Sequence, residues 1–175
     1  MPQAERIEIV SYHSEWPRMF EREAGPLKLA FGENLIALHH FGSTSIPFLC
    51  AKPKIDILAV VKQLSKIDIS DLQKLGFADR GEVIVSGRYF SKENPKIHLH
   101  VFEEGNPNIE RNLIFRDWLR THENDRNAYA SLKKDLAARY DDGMEYCRAK
   151  TDFITQIINQ ALNKAPMEIR KNERT

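Results

Sequence analysis

Apolar and polar positions alternate over some stretches of this chain and recur with helical spacing over others. Ile7 to Tyr12 alternates and predicts a short strand. Ser14-Glu15-Trp16-Pro17 predicts a helix start, with Ser14 as N-cap and Pro17 in the first turn. That helix runs towards Leu29, is kinked or split at Pro26, and is closed by Gly32. Leu35 to Phe41 is apolar with two histidines and predicts a strand. Gly42-Ser43-Thr44-Ser45 follows as a small polar turn, and Ile46 to Pro53 is irregular. Ile55 to Val61 is apolar except at Asp56, the pattern of a strand buried on both faces with one charge at its start. Asp68 to Leu75 predicts a short helix closed by Gly76, and Phe77 to Tyr89, with Gly81 and Gly87, a hairpin. In the strand Lys96 to Phe102, Ile97, Leu99 and Val101 share one face, and His98, His100 and Phe102 the other.

From Asn108 onward the spacing is helical. Leu113, Ile114, Phe115, Trp118 and Leu119 make one apolar stripe, and Tyr129, Leu132, Leu136 and Tyr140 a second. Cys147, Phe153, Ile154, Ile157, Ile158, Ala161 and Leu162 make a third. Strands with an interspersed helix, then three helices, predict an α+β fold: a mixed β-sheet with helices packed on it and C-terminal helices. Residues 1–165 form one domain, and the charged tail, 166–175, is expected to fray.

The chain has 175 residues, 42% hydrophobic and 29% charged, enough for a core without staples. A net charge of +1 excludes an extended nucleic-acid surface but leaves room for a small basic pocket for one phosphorylated ligand. Cys50 and Cys147 have no C-x-x-C partner and are expected to be free thiols. The first residues are charged and lack the apolar core of a signal peptide, and no apolar run reaches membrane length. The expected compartment is the cytoplasm, with no membrane partner.

Candidate chemistry centres on Gly42 to Asp56. A Gly-Ser pair ending a strand can aim backbone N–H groups at a phosphate, or simply make a tight turn. Thr44 and Ser45 can add hydroxyls to a ligand or cap the following turn. Asp56, flanked by apolar residues, needs a metal or a cation, and Lys52 and Lys54 lie close enough in sequence to serve. His98 and His100 on one strand face can reach one metal, or sit hydrogen-bonded under a helix. Arg116 and Arg120, one helical turn apart, can clamp phosphates or face solvent. Lys133 and Lys150 lie opposite apolar stripes, and Arg88 and Tyr89 can border the same cleft. Trp16 and Trp118 belong to the core.

Strand, Gly-Ser, spacer, Asp-bearing strand is the order found in the nucleotidyltransferase superfamily. Longer blocks resemble the GrpB-like family: Tyr12-His13-Ser14-Glu15-Trp16-Pro17, His40-Phe41-Gly42-Ser43-Thr44-Ser45-Ile46-Pro47 and Ala51-Lys52-Pro53-Lys54-Ile55-Asp56-Ile57. His98-Leu99-His100-Val101 and Phe115-Arg116-Asp117-Trp118-Leu119-Arg120 resemble two more, and Tyr129 with Lys133, and Lys150 with Phe153-Ile154, its helical end. The resemblance implies the nucleotidyltransferase-like fold. It leads to the expectation of metal-dependent nucleotidyl transfer to an unidentified acceptor. Asp56 with His98 and His100 would hold a divalent ion (Mg, Mn or Zn). Gly42 and Ser43, helped by Thr44 and Ser45, would hold phosphates. Lys52, Arg116 and Lys133 would stabilise pyrophosphate, with Arg88, Arg120 and Lys150 as further contacts. Some members are fused to dephospho-coenzyme A kinase, which suggests a second reading, a non-catalytic domain for a nucleotide or coenzyme A-type ligand. A third is a metal-dependent phosphate-ester hydrolase. Two departures bear on these readings. Leu58 stands where the superfamily has its second carboxylate, and Phe48 where relatives usually have Gly.

Overall fold

The computed structural model describes residues 7–82 and 86–172. Helix α1 (Trp16–Phe31) leads into strand β1 (Leu35–Phe41), the Gly-Ser turn and strand β2 (Ile55–Val61). Helix α2 (Ile69–Lys74), the short β3 (Ala78–Asp79), β4 (Gly87–Lys92) and β5 (Ile97–Glu103) follow. Four α-helices follow among the described residues: α3 (Pro107–Thr121), α4 (Glu123–Arg139), α5 (Gly143–Arg148) and α6 (Thr151–Asn172).

The sheet order is β1-β2-β5-β4-β3. β2 and β5 run parallel at its centre, and the other pairs are antiparallel, so the sheet is mixed. Strand alternation divides its residues cleanly. Ile55, Ile57, Ala59 and Val61 of β2 and Ile97, Leu99 and Val101 of β5 face the main core, shared with Trp16, Leu27 and Phe31 of α1 and Leu72 of α2. Burying such aliphatic side chains contributes about 1.5–3 kcal/mol each, which makes this layer the main source of cohesion. Asp56, His98 and His100 face the opposite side, next to a smaller cluster of Phe41, Leu58, Val60 and Phe102. Ile46 and Leu49, just after the Gly-Ser turn, are buried among Trp118, Leu119, Tyr129 and Ile157 of the C-terminal helices.

Several expectations need correction. Ile7 to Tyr12 forms only an isolated bridge, Val10 with Ala51, joined by two 2.9 Å hydrogen bonds. α1 starts at Trp16 with Glu15, not Ser14, as N-cap; the Glu15 N–H donates to Nδ1 of His13 instead. Pro26 does not split the helix. Gly32 does close it, with its N–H donating to the Lys28 carbonyl. The expected third C-terminal stripe is two helices, with Cys147 on α5, exposed, rather than in the core. Asp142 caps α5 by accepting the N–H groups of Met144 and Glu145, a local signal that a new helix starts there. α6 spans Thr151–Asn172 and so includes Pro166. Part of the hairpin, residues 83–85, lies outside the described residues. Cys50 and Cys147 are free, and both tryptophans are buried, as the sequence suggests. No described helix is long and apolar enough to cross a membrane.

Candidate functional site

At the end of β1 the chain turns through Gly42, with φ 68° and ψ −174°, a region that only glycine occupies without strain. Residues Ser43–Ser45 then make one tight helical turn. The turn is pinned from behind. Ser45 Oγ donates to the Gly42 carbonyl at 2.7 Å, and His40 Nε2 lies 3.0 Å from Thr44 Oγ1. Arg116 donates to the His40 carbonyl at 3.0 Å. Arg120 donates to the Ser45 carbonyl through two nitrogens, at 2.8 and 3.1 Å. With these carbonyls drawn to the rear, the opening N–H groups of the turn, those of Ser43 and Thr44, have no acceptor inside it.

Asp56 lies directly beneath. A Cβ placed on Gly42 would sit 2.5 Å from Asp56 Oδ2, so the carboxylate occupies the space that glycine leaves. Burial opposes the charge on Asp56. The Lys54 ammonium, 3.5 Å away, and the neighbouring imidazoles outweigh it and hold the carboxyl below its ordinary value. On the adjacent strand, Asp56 is in register with His98, and ligand atoms of Asp56, His98 and His100 all lie within 4.8 Å of one another. Burial lowers both imidazole pKa values to about 4, so both rings are neutral near pH 7. The Lys54 ammonium is also 2.8 Å from His98 Nδ1. An ammonium can only donate, so Nδ1 accepts and the ring proton sits on Nε2.

In front of the turn is a cavity of about 140 Å³. Gly42, Ser43 and Thr44 line it, with Lys52, Lys54, Lys133 and Lys150, and Asp56 is the one carboxylate in its wall among the described residues. Lys133 is 1% exposed and donates to the Cys50 carbonyl. Burial lowers its pKa to about 7, and that of Lys150 to about 8. Two phenol rings carry the amines: Lys133 over Tyr129 at 4.9 Å, and Lys150 and Lys52 over Tyr146 at 4.1 and 4.4 Å. Such cation–π contacts hold ammonium groups in place without neutralising them. The cavity opens beside a larger cleft of about 710 Å³ that shares Lys52 and Lys54 and includes His98 and Lys96.

The structure thus gathers Gly42, Ser43, Thr44, Lys52, Asp56, Lys133 and Lys150 around one cavity, with His98 and His100 beside Asp56. It places other candidates elsewhere. Arg88 pairs with Asp79 on the sheet face opposite Asp56, because strand alternation turns it towards the main core. Arg116 and Arg120 grip the turn from its rear, beside a separate cleft of about 370 Å³. Ser45 spends its hydroxyl on the Gly42 carbonyl. Lys133 does not lie opposite the apolar stripe of α4 but on the same face, with Tyr129 and Leu136. Lys150 sits in the turn between α5 and α6. Lys54, one of the two cations the sequence offered to Asp56, does lie beside it, whereas Tyr146 is a site residue that the sequence pattern did not single out. A signal for Tyr146 does exist: Tyr129 and Lys133, and Tyr146 and Lys150, have the same Tyr-x-x-x-Lys spacing. Phe48 is 80% exposed and has φ 67°, a backbone conformation that suits glycine, as the resemblance led one to expect for this position.

Comparison with known proteins agrees with this architecture. Residues 6–160 match the family model described as GrpB protein. The chain is 44% identical to UPF0157 protein YqkA of Bacillus subtilis over 155 residues, 85% of this chain and 45% of that protein. It therefore spans less than half the length of YqkA. It is 37% identical to UPF0157 protein BH1888 of Halalkalibacterium halodurans over 165 residues, 91% of this chain and 85% of that one. The crystal structure of conserved protein GrpB from Enterococcus faecalis matches with a TM-score of 0.82 at 33% identity, covering 90% of this chain and 99% of the other. A more distant likeness, 26% over 170 residues, is to dephospho-CoA kinase of Mycolicibacterium paratuberculosis, covering 79% of this chain and 42% of the kinase. The chain belongs to the GrpB family, within the nucleotidyltransferase-like superfamily.

Proposed function

We propose that this protein is a metal-dependent nucleotidyltransferase whose lysine-lined cavity seats the phosphates of a nucleotide. The observation that carries this reading is the convergence of Lys52, Lys54, Lys133 and Lys150 on a cavity beside the Gly42–Thr44 turn, with Asp56 the single carboxylate in its wall among the described residues. That excess of positive charge suits a polyanion. The N–H groups of Ser43 and Thr44 would donate to phosphate oxygens, and the amines would stabilise the pyrophosphate that leaves. The donor set of Asp56, His98 and His100 fits a divalent ion: one charged carboxylate and two neutral imidazoles, with ligand atoms within 4.8 Å. Two nitrogens and one oxygen favour Zn²⁺ or Mn²⁺ over Mg²⁺. An ion held there would supply charge neutralisation at phosphorus.

The test uses a nucleoside triphosphate with Mn²⁺ or Zn²⁺. Together they should raise the melting temperature, and pyrophosphate should appear once an acceptor is supplied. Asp56→Asn should lose the metal-dependent part of both effects. If Asp56→Asn bound nucleotide and metal as tightly as the parent, Asp56 would be structural and this reading would lose its centre.

One observation favours a second reading, a binding domain without transfer. Leu58 is 0% exposed among Phe41, Val60 and Phe102, so the place of a second carboxylate is dry core. The likeness to dephospho-CoA kinase supports a coenzyme A-type ligand for that reading. Stabilisation by ligand with no pyrophosphate from any acceptor would favour it.

A further inference from the structure

Lys54 touches two places at once. Its ammonium lies 2.8 Å from His98 Nδ1 and 3.5 Å from Asp56 Oδ1, and the same side chain lines the phosphate cavity. It therefore stands against two of the three groups that would hold a metal. The side chain is 26% exposed, and its flexible stem leaves the ammonium free to move between partners.

We propose that Lys54 is a built-in cation that keeps the Asp56–His98–His100 site closed until an anion arrives. A phosphate group in the cavity offers the Lys54 ammonium a stronger partner than a neutral imidazole. Its departure uncovers His98 Nδ1 and leaves Asp56 in need of a cation, which a divalent metal supplies. Phosphate and metal then bind cooperatively, anion first, and each favours the other by the same factor. Without the anion, the cost of displacing Lys54 appears as weakened metal affinity. Lys52 is the natural comparison: it carries the same charge in the same cavity but rests on Tyr146, not on His98.

This inference rests on the metal reading of that site, and its test separates the two. Co²⁺ binding is followed by calorimetry and visible absorption, with and without sulfate as a phosphate analogue that chelates Co²⁺ weakly. In the parent, sulfate should tighten Co²⁺ binding. Lys54→Met should bind Co²⁺ about tenfold tighter without sulfate, and sulfate should then add little. Lys54→Gln should behave alike, and Lys52→Met should not. His98→Ala should lose the Co²⁺ spectrum in every background, and melting curves establish that each variant folds. If the parent binds Co²⁺ through His98 and Lys54→Met binds it no tighter, the role of Lys54 is overturned and the metal site stands. The same holds if Lys52→Met gains as much, since general charge would then be the cause. If no variant binds Co²⁺ with or without sulfate, the metal reading falls and this inference with it.

Discussion

Gly42 and Asp56 make one unit at the scale of single residues. Glycine is required at position 42 twice over, by its positive φ and by the carboxylate packed against its Cα. Gly42→Ala should therefore cost about 1–3 kcal/mol from the backbone region alone. It should also push Asp56 away from His98. The expected outcome is a lower melting temperature together with loss of metal-induced stabilisation. A variant of parental stability that still responds to metal would show that the turn can move aside without cost to the site.

At the scale of elements, α3 and the Gly-Ser turn act together. Arg120 holds the Ser45 carbonyl with two nitrogens and Arg116 holds that of His40, so α3 fixes which way the peptide groups of the turn point. On the proposed reading, these arginines position the turn rather than touch phosphate. Arg120→Met should weaken pyrophosphate binding, measured by calorimetry, by about tenfold, the loss of roughly one charge-assisted hydrogen bond's contribution. Metal binding at Asp56, on β2, should persist. Arg120→Lys should restore part of the affinity. Equal loss of metal binding would mean that the arginine supports the fold generally. The two Tyr-x-x-x-Lys pairs show the same logic in the C-terminal region, each phenol seating the amine of a lysine that lines the cavity.

For the whole molecule, anion binding in the cavity should be coupled to protons. Lys133 and Lys150 are contributed by the C-terminal helical region, Lys52 and Lys54 by the approach to β2, and Cys147, Tyr129 and Tyr146 complete the wall. Burial lowers Lys133 to about 7 and Lys150 to about 8. At pH 8 the first amine is mostly neutral and the second about half charged. A bound pyrophosphate favours the ammonium forms, raises both pKa values, and so draws protons from solution. The binding enthalpy at pH 8 should vary with the ionisation enthalpy of the buffer, with the sign of proton uptake. The dependence should fade below about pH 6, where both amines are already charged. Uptake that survives in Lys133→Met/Lys150→Met would place the protons elsewhere.

The sequence alone determined the strands at both sides of the Gly-Ser turn, the α+β class, and the shared face of His98 and His100. These follow from local periodicity: a buried strand must be apolar, and alternation assigns each face. Motif blocks along the chain made the family legible before any contact was known. Local pattern could not show Lys133 buried on the Tyr129 face, since a lysine reads as exposed until its partners are known. It could not send Arg88 to the other face, because that depends on which strand pairs with β4. Nor could it show Arg120 behind the turn or Lys54 against His98, which join positions 75 and 44 residues apart. Such contacts arise only when the parallel pairing of β2 with β5 and the packing of the C-terminal helices bring distant segments together. Tertiary structure therefore decided which of the cations line the cavity and which hold the scaffold.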